Sequence, residues 1–194
     1  MTEPVGVLSL QGDFREHLQA FSRLGIPAIP VKTLSALESV SGLVIPGGES
    51  TTIGKLARIF DLFEPIKTSI ASGLPVFGTC AGLIMLSDEI IDGIEGQETF
   101  GGLDVVVQRN AFGNQLDSFE VDLGFEGVEG LVHAAFIRAP LITMVGAKAT
   151  VVSSLADGRV VGVRQGNRLG ISFHPEVTGE DRIHQYFYEA LIRG

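Results

Sequence analysis

Val76-Phe77-Gly78-Thr79-Cys80-Ala81-Gly82-Leu83-Ile84 runs as a short apolar strand into a G-x-C-x-G turn and out into a helix. This is the sulfur version of a nucleophile elbow. The strand delivers the side chain, the tight turn exposes it, and small flanking residues let the backbone bend without clashing. Cys80 is the only cysteine in the chain. A thiolate here gains from the following helix N-terminus, which lowers a thiol pKa and offers backbone N–H groups to an oxyanion. The competing use of a lone cysteine is to pack as a small hydrophobe. Glycines at both i−2 and i+2 favour the reactive use.

Working outward, strand and helix signals alternate on the N-terminal side. Val5 to Leu10 reads as a strand, and Asp13-Phe14-Arg15-Glu16 opens a helix with a D-x-x-E capping box. Leu18, Phe21 and Leu24 follow at helical spacing, and Gly25 ends the helix. Ile26 to Val31 and Gly42 to Ile45 are apolar runs suited to strands buried on both faces. A helix near Ser50 and another across Leu62 to Ala71 lead to the strand before the elbow. Such alternation implies parallel strands with helical crossovers.

The second half is different. Leu103 to Gln108, Ser118 to Leu123, Leu131 to Ile137, Ala149 to Ser154, Arg159 to Gln165 and Arg168 to Phe173 read as strands. Arg159 to Phe173 forms a hairpin about Gly166-Asn167, and a helix from Gly179 to Ile192 closes the chain. The expected architecture is one α/β domain over residues 1–194. Its central, mostly parallel sheet is extended by antiparallel strands. Phe14, Phe60 and Phe119 are assigned to the core.

Composition narrows the function. With 14 Lys plus Arg against 23 Asp plus Glu, the net charge is −9 and no basic cluster offsets it, which argues against nucleic acid as a partner. No apolar stretch is long enough to span a bilayer, and Met1-Thr2-Glu3-Pro4 lacks a basic leader. One free thiol suits a reducing compartment, so the cytoplasm is expected. His17, His133, His174 and His184 are scattered without a second cysteine or an H-x-x-x-H pair, so no metal is expected. No cofactor is implied.

An elbow cysteine needs a base. His174 ends a strand and is followed by Pro175 and Glu176. In an extended segment residues i and i+2 lie about 6 to 7 Å apart on one side. Glu176 can then hold one imidazole nitrogen while the other faces sulfur, which is the logic of a catalytic triad. His133 has no acidic residue two positions away. Pro46-Gly47-Gly48-Glu49-Ser50-Thr51-Thr52 follows the third strand, with Ser50 and Thr51 as candidate caps. It lacks the lysine of a phosphate loop, and its paired glycines can turn N–H groups toward an oxyanion. Arg109 and Arg138 each stand at a strand end, where a guanidinium can hold the carboxylate of an amino-acid substrate.

Together these segments resemble the class I (triad) glutamine amidotransferases. Leu10-Gln11-Gly12, Pro46 to Thr52, Phe77 to Ile84, Gln108-Arg109-Asn110-Ala111-Phe112-Gly113, Phe136-Ile137-Arg138-Ala139-Pro140 and Phe173-His174-Pro175-Glu176 are similar, more narrowly, to the glutaminase subunits of pyridoxal 5′-phosphate synthase. Asn114, where many members carry arginine, is a departure outside the triad positions. The resemblance implies a flavodoxin-like three-layer sandwich. It implies Cys80 as nucleophile, His174 as base and Glu176 as orienting carboxylate. Gly48, Glu49, Ser50, Arg109, Ile137 and Arg138 would contact L-glutamine, and the N–H groups of Gly48 and Ala81 would hold the oxyanion. It also implies a (β/α)8 synthase partner that uses the ammonia. The alternatives are the glutaminase subunit of another amidotransferase, a cysteine peptidase or an elbow-thiol protein that reacts with electrophiles, and a non-enzymatic binding or scaffold subunit with a vestigial triad.

Overall fold

The computed structural model describes residues 3–109 and 118–194. Asn110 to Gly113 and Asn114, singled out above, lie outside the described residues. In chain order the elements are β1 (Val5–Leu8), α1 (Phe14–Arg23), β2 (Ala28–Val31), α2 (Leu34–Leu37), β3 (Gly42–Ile45), α3 (Ser50–Ile59), α4 (Phe63–Ala71), β4 (Val76–Thr79), α5 (Ala81–Leu86) and β5 (Ser87–Ile91). There follow β6 (Leu103–Gln108), β7 (Phe119–Phe125), β8 (Val128–Phe136), β9 (Leu141–Val145), β10 (Thr150–Ser154), β11 (Val160–Gln165) and β12 (Arg168–Ile171). The chain closes with α6 (Pro175–Thr178), α7 (Arg182–Tyr186) and a wider π turn over Phe187–Ile192.

The main sheet has the order β2-β1-β3-β4-β12-β11-β9-β6-β5, with β10 paired to β11. From β2 to β12 the pairs are parallel, and β12-β11-β9-β6 are joined antiparallel. This is the flavodoxin-like sheet with an antiparallel extension. Burial follows position in the sheet. Every residue of β1, β3 and β4 is buried, because helices cover both faces of a parallel centre. β6 alternates buried and half-buried residues, as a flanking strand does.

Two apolar layers result. Leu43, Ile45 and Val76 face Ile53 and Ala57 of α3, Ile66 and Ile70 of α4, and Leu83 of α5. Val44, Phe77 and Ile171 face Phe21 of α1 and Ile183, Phe187 and Leu191 near the C-terminus. α4 presents one stripe, Phe63, Ile66 and Ile70, whereas every residue of α5 is buried.

Several expectations are corrected. β2 is an edge strand in which only Val31 is buried, and Pro30 suits an edge. Residues 119–136 do not extend the main sheet but pair as a separate hairpin, β7-β8, lying on the Phe77 face. β5 and β9 were not anticipated. The closing helix begins at Arg182 rather than Gly179, which instead ends the short α6 with φ of 72°, and its last turn, Phe187–Ile192, is a π turn. Phe60 lies just past the end of α3 and is 54% exposed.

Candidate active site

Four parallel neighbours, β1, β3, β4 and β12, deliver their carboxyl ends to one rim, where open α/β sheets bind ligands. The rim carries Gln11-Gly12 after β1, Gly47-Gly48-Glu49 after β3, Cys80 after β4 and His174 after β12.

The elbow is built by close approach. A Cβ on Gly82 would lie 2.0 Å from the Ile45 carbonyl oxygen, and one on Gly78 would lie 2.5 Å from the Gly82 backbone. Only hydrogen fits at these positions, which lets α5 pack against the ends of β3 and β4. Cys80 takes the strain, with φ of 50°, in the left-handed region that side chains with a Cβ disfavour. Its backbone N–H donates to the Ile171 carbonyl at 2.9 Å, fastening the elbow to β12. The helix that follows has only six residues, so its macrodipole is weaker than the sequence suggests. Sγ approaches the Ile137 carbonyl oxygen at 4.0 Å.

His174 is buried, and its N–H donates to the Ala135 carbonyl of β8 at 2.9 Å. Nδ1 lies 2.7 Å from Glu176 Oε1, and that carboxylate is itself buried. The geometry differs from the extended segment expected: His174 caps α6 and Glu176 sits in its first turn. Burial pulls the imidazole pKa down, but hydrogen bonding to Cys80 and Glu176 outweighs it and raises the value to about 11. Burial raises the Glu176 pKa, against the lowering effect of His174. The arrangement favours an imidazolium held between sulfur and carboxylate.

Asp13 joins this group. Rather than capping α1, its side chain makes no cap hydrogen bond and lies 3.6 Å from His174 Nδ1. Half-burial raises its pKa, His174 lowers it, and Glu16 adds to the rise. Asp13, His174 and Glu176 are the one cluster of metal-type donors found among the described residues. Their shared nitrogen is already hydrogen bonded to Glu176, which makes this a proton-sharing group rather than an open coordination shell.

The Gly47-Gly48 turn packs on the imidazole: a Cβ on Gly47 would sit 2.4 Å from His174 Cε1. Its Gly47 carbonyl accepts from Asp13 N–H at 3.1 Å, and Glu49 N–H donates to Gln11 Oε1 at 2.8 Å. Glu49, not Ser50 or Thr51, caps α3, accepting from Thr51 N–H at 3.4 Å. The same carboxylate is ion-paired with Arg109. Ser50 is buried and accepts from Gln97 Nε2 at 2.9 Å. Ala81 opens α5, so its N–H has no partner one turn back. Arg138 is exposed with φ of 47°. Among the described residues no hydrogen bond or ion pair joins it to the triad group.

Two of the histidines, far apart in the sequence, meet in space. His17 Nδ1 lies 2.8 Å from His184 Nε2, and His17 Nε2 lies 3.2 Å from Thr79 Oγ1 and 3.6 Å from Glu176 Oε1. His133 is exposed, flanked across the hairpin by Asp122 and Glu120.

The family model described as SNO glutamine amidotransferase family matches residues 7–193. The chain belongs to the SNO glutamine amidotransferase family. It is 58% identical to "Pyridoxal 5'-phosphate synthase subunit PdxT" of Leifsonia xyli subsp. xyli (strain CTCB07), over 94% of this chain and 93% of that protein. It is 54% identical to the subunit of the same name from Streptomyces coelicolor (strain ATCC BAA-471 / A3(2) / M145), over 98% and 94%. A solved structure, "Crystal structure of glutamine amidotransferase", superposes with a TM-score of 0.89 at 50% identity, covering 95% of this chain and 97% of that one. As an SNO-family enzyme the chain is a glutamine amidotransferase, and the rim just described is where the family's chemistry has its candidate groups. No helix among the described residues is long and apolar enough to cross a membrane.

Proposed function

We propose that this chain is the glutaminase subunit of a pyridoxal 5′-phosphate synthase, a single catalytic domain of the cytoplasm that hydrolyses L-glutamine and passes ammonia to a (β/α)8 synthase partner. The Cys80 thiolate attacks the side-chain amide. Gly48 and Ala81 N–H groups hold the oxyanion, an interaction worth about 3 to 4 kcal/mol of barrier per donor. His174 gives its proton to the departing ammonia, leaving a γ-glutamyl thioester, and then takes a proton from the water that releases glutamate. Glu176 keeps the ring oriented and supports its charge. Arg109 and Arg138 hold the substrate carboxylate, Glu49 its amino group, and Ser50 and Ile137 line the pocket.

The observation that carries this reading is His174 held at 2.7 Å by the buried Glu176 carboxylate while interacting with the elbow cysteine. The name borne by relatives 50 to 58% identical supports the choice of synthase. The Gly47 carbonyl is tied to α1, so the free subunit is expected to be weakly active until docking repositions the Gly47-Gly48 peptide. The test is ammonia release from glutamine with and without the synthase. Release stimulated by the synthase is expected; no release in either case overturns the reading.

A further inference from the structure

Beside Glu176, two fully buried histidines from opposite ends of the chain meet, and the nearer one approaches the same Oε1 that His174 holds. His17 of α1 and His184 of α7 are 2.8 Å apart, enclosed by the rings of Phe21 and Phe77. Burial lowers the pKa of both, His184 to about 4, so both are neutral near neutral pH. Each ring then has a single N–H, and the contact between them admits two arrangements.

In one, His17 Nδ1–H donates to His184. That arrangement turns the His17 Nε2 lone pair toward Glu176 Oε1 at 3.6 Å, and it strands a buried N–H on His184 Nδ1, which has no partner among the described residues. In the other, His184 Nε2–H donates to His17 Nδ1. His17 Nε2–H then points at Thr79 Oγ1 and the Glu176 carboxylate. The second arrangement leaves only an unmet lone pair, the smaller cost. Glu176 Oε1 already accepts from His174 Nδ1 at 2.7 Å, and Oε2 has no hydrogen-bond partner among the described residues, so the dipole His17 aims at Oε1 adds to a carboxylate that has one side-chain donor.

We propose that His17 is a positioning residue: held as its Nε2–H tautomer by His184, it directs that N–H at Thr79 and Glu176, keeping Glu176 ionised as the acceptor for His174. The inference rests on the glutaminase reading for its kinetic consequence, but its geometry does not. The charged groups facing Glu176 are His174 from its own segment and Asp13 from α1, with His17 beside them. Those facing His184 are Asp181 and Arg23. None of these donates to Glu176 Oε2.

Imidazole nitrogen NMR of the isotope-labelled, unaltered protein is expected to show both rings neutral near neutral pH, with His17 protonated at Nε2 and bare at Nδ1. A proton on His17 Nδ1 overturns the proposal, even if variants misfold. With the synthase present, His17→Leu is expected to lower kcat about tenfold at unchanged KM for glutamine. It should also move the acid limb of kcat/KM up by about one pH unit, because Glu176 then protonates more readily. His17→Gln, which restores a donor, should recover most of both. An unmoved acid limb, or a glutamine variant no better than the leucine one, overturns it. Loss of all glutaminase activity in the unaltered protein would count against the functional reading, while the spectra would still decide the His17 tautomer.

Discussion

The backbone N–H of Asp13 donates to the carbonyl of Gly47 at 3.1 Å, joining the residue just before α1 to the peptide between Gly47 and Gly48. One hydrogen bond thus couples the helix that contributes Asp13 and His17 to the loop proposed to hold the oxyanion. A Cβ on Gly12 would fall 1.8 Å from that same Gly47 oxygen, and Gly12 has φ of 93°. Gly12→Ala is therefore expected to push the two segments apart. It should cost about 1 to 3 kcal/mol of stability and depress synthase-stimulated turnover at least tenfold, read by denaturant unfolding and by ammonia release. Turnover equal to the unaltered protein would break the coupling argument.

Arg109 and Glu49 are paired across the rim. If glutamine takes both as partners for its carboxylate and amino group, the cost of losing Arg109 falls on binding. Arg109→Met should raise KM for glutamine about tenfold or more while kcat falls much less. Steady-state kinetics at saturating synthase decide it, and a pure kcat loss would count against the assignment.

Acid should destabilise the fold through the buried histidine pair. The folded pKa of His184 lies near 4, below the 6.5 of a free imidazole. Between those values the unfolded chain binds more protons, so stability falls as pH drops through that window, by about 3 kcal/mol from His184 alone. His174 acts oppositely. Its pKa is raised to about 11, so its contribution is complete below about 6.5 and is lost as pH rises toward 11. Stability is thus expected to peak near neutral pH, and His184→Leu should flatten the acid slope in denaturant titrations. An unchanged slope would place the acid sensitivity elsewhere.

Much of this was legible in the residues. The apolar runs at Gly42–Ile45 and Leu103–Gln108 appear as strands with those bounds, since hydrophobic runs punctuated by glycine carry their own ends. The elbow was legible because its glycines have a steric cause, visible in the 2.0 Å approach of Gly82 to Ile45. The strand Ser87–Ile91 was not: it continues from α5 without a turn residue and carries Asp88 and Glu89 on an edge. Asp13 looked like a cap because caps and site carboxylates share a residue type. His17 had no local signal at all, its partner lying 167 residues further along the chain.

The most direct test of the central claim is to quench the synthase-bound protein during turnover with glutamine and map the adduct by mass spectrometry. A single γ-glutamyl group on the peptide carrying Cys80, absent with ammonia release in Cys80→Ala, is the expected result. Ammonia release by Cys80→Ala at the unaltered rate, with no adduct on the sulfur, would contradict it.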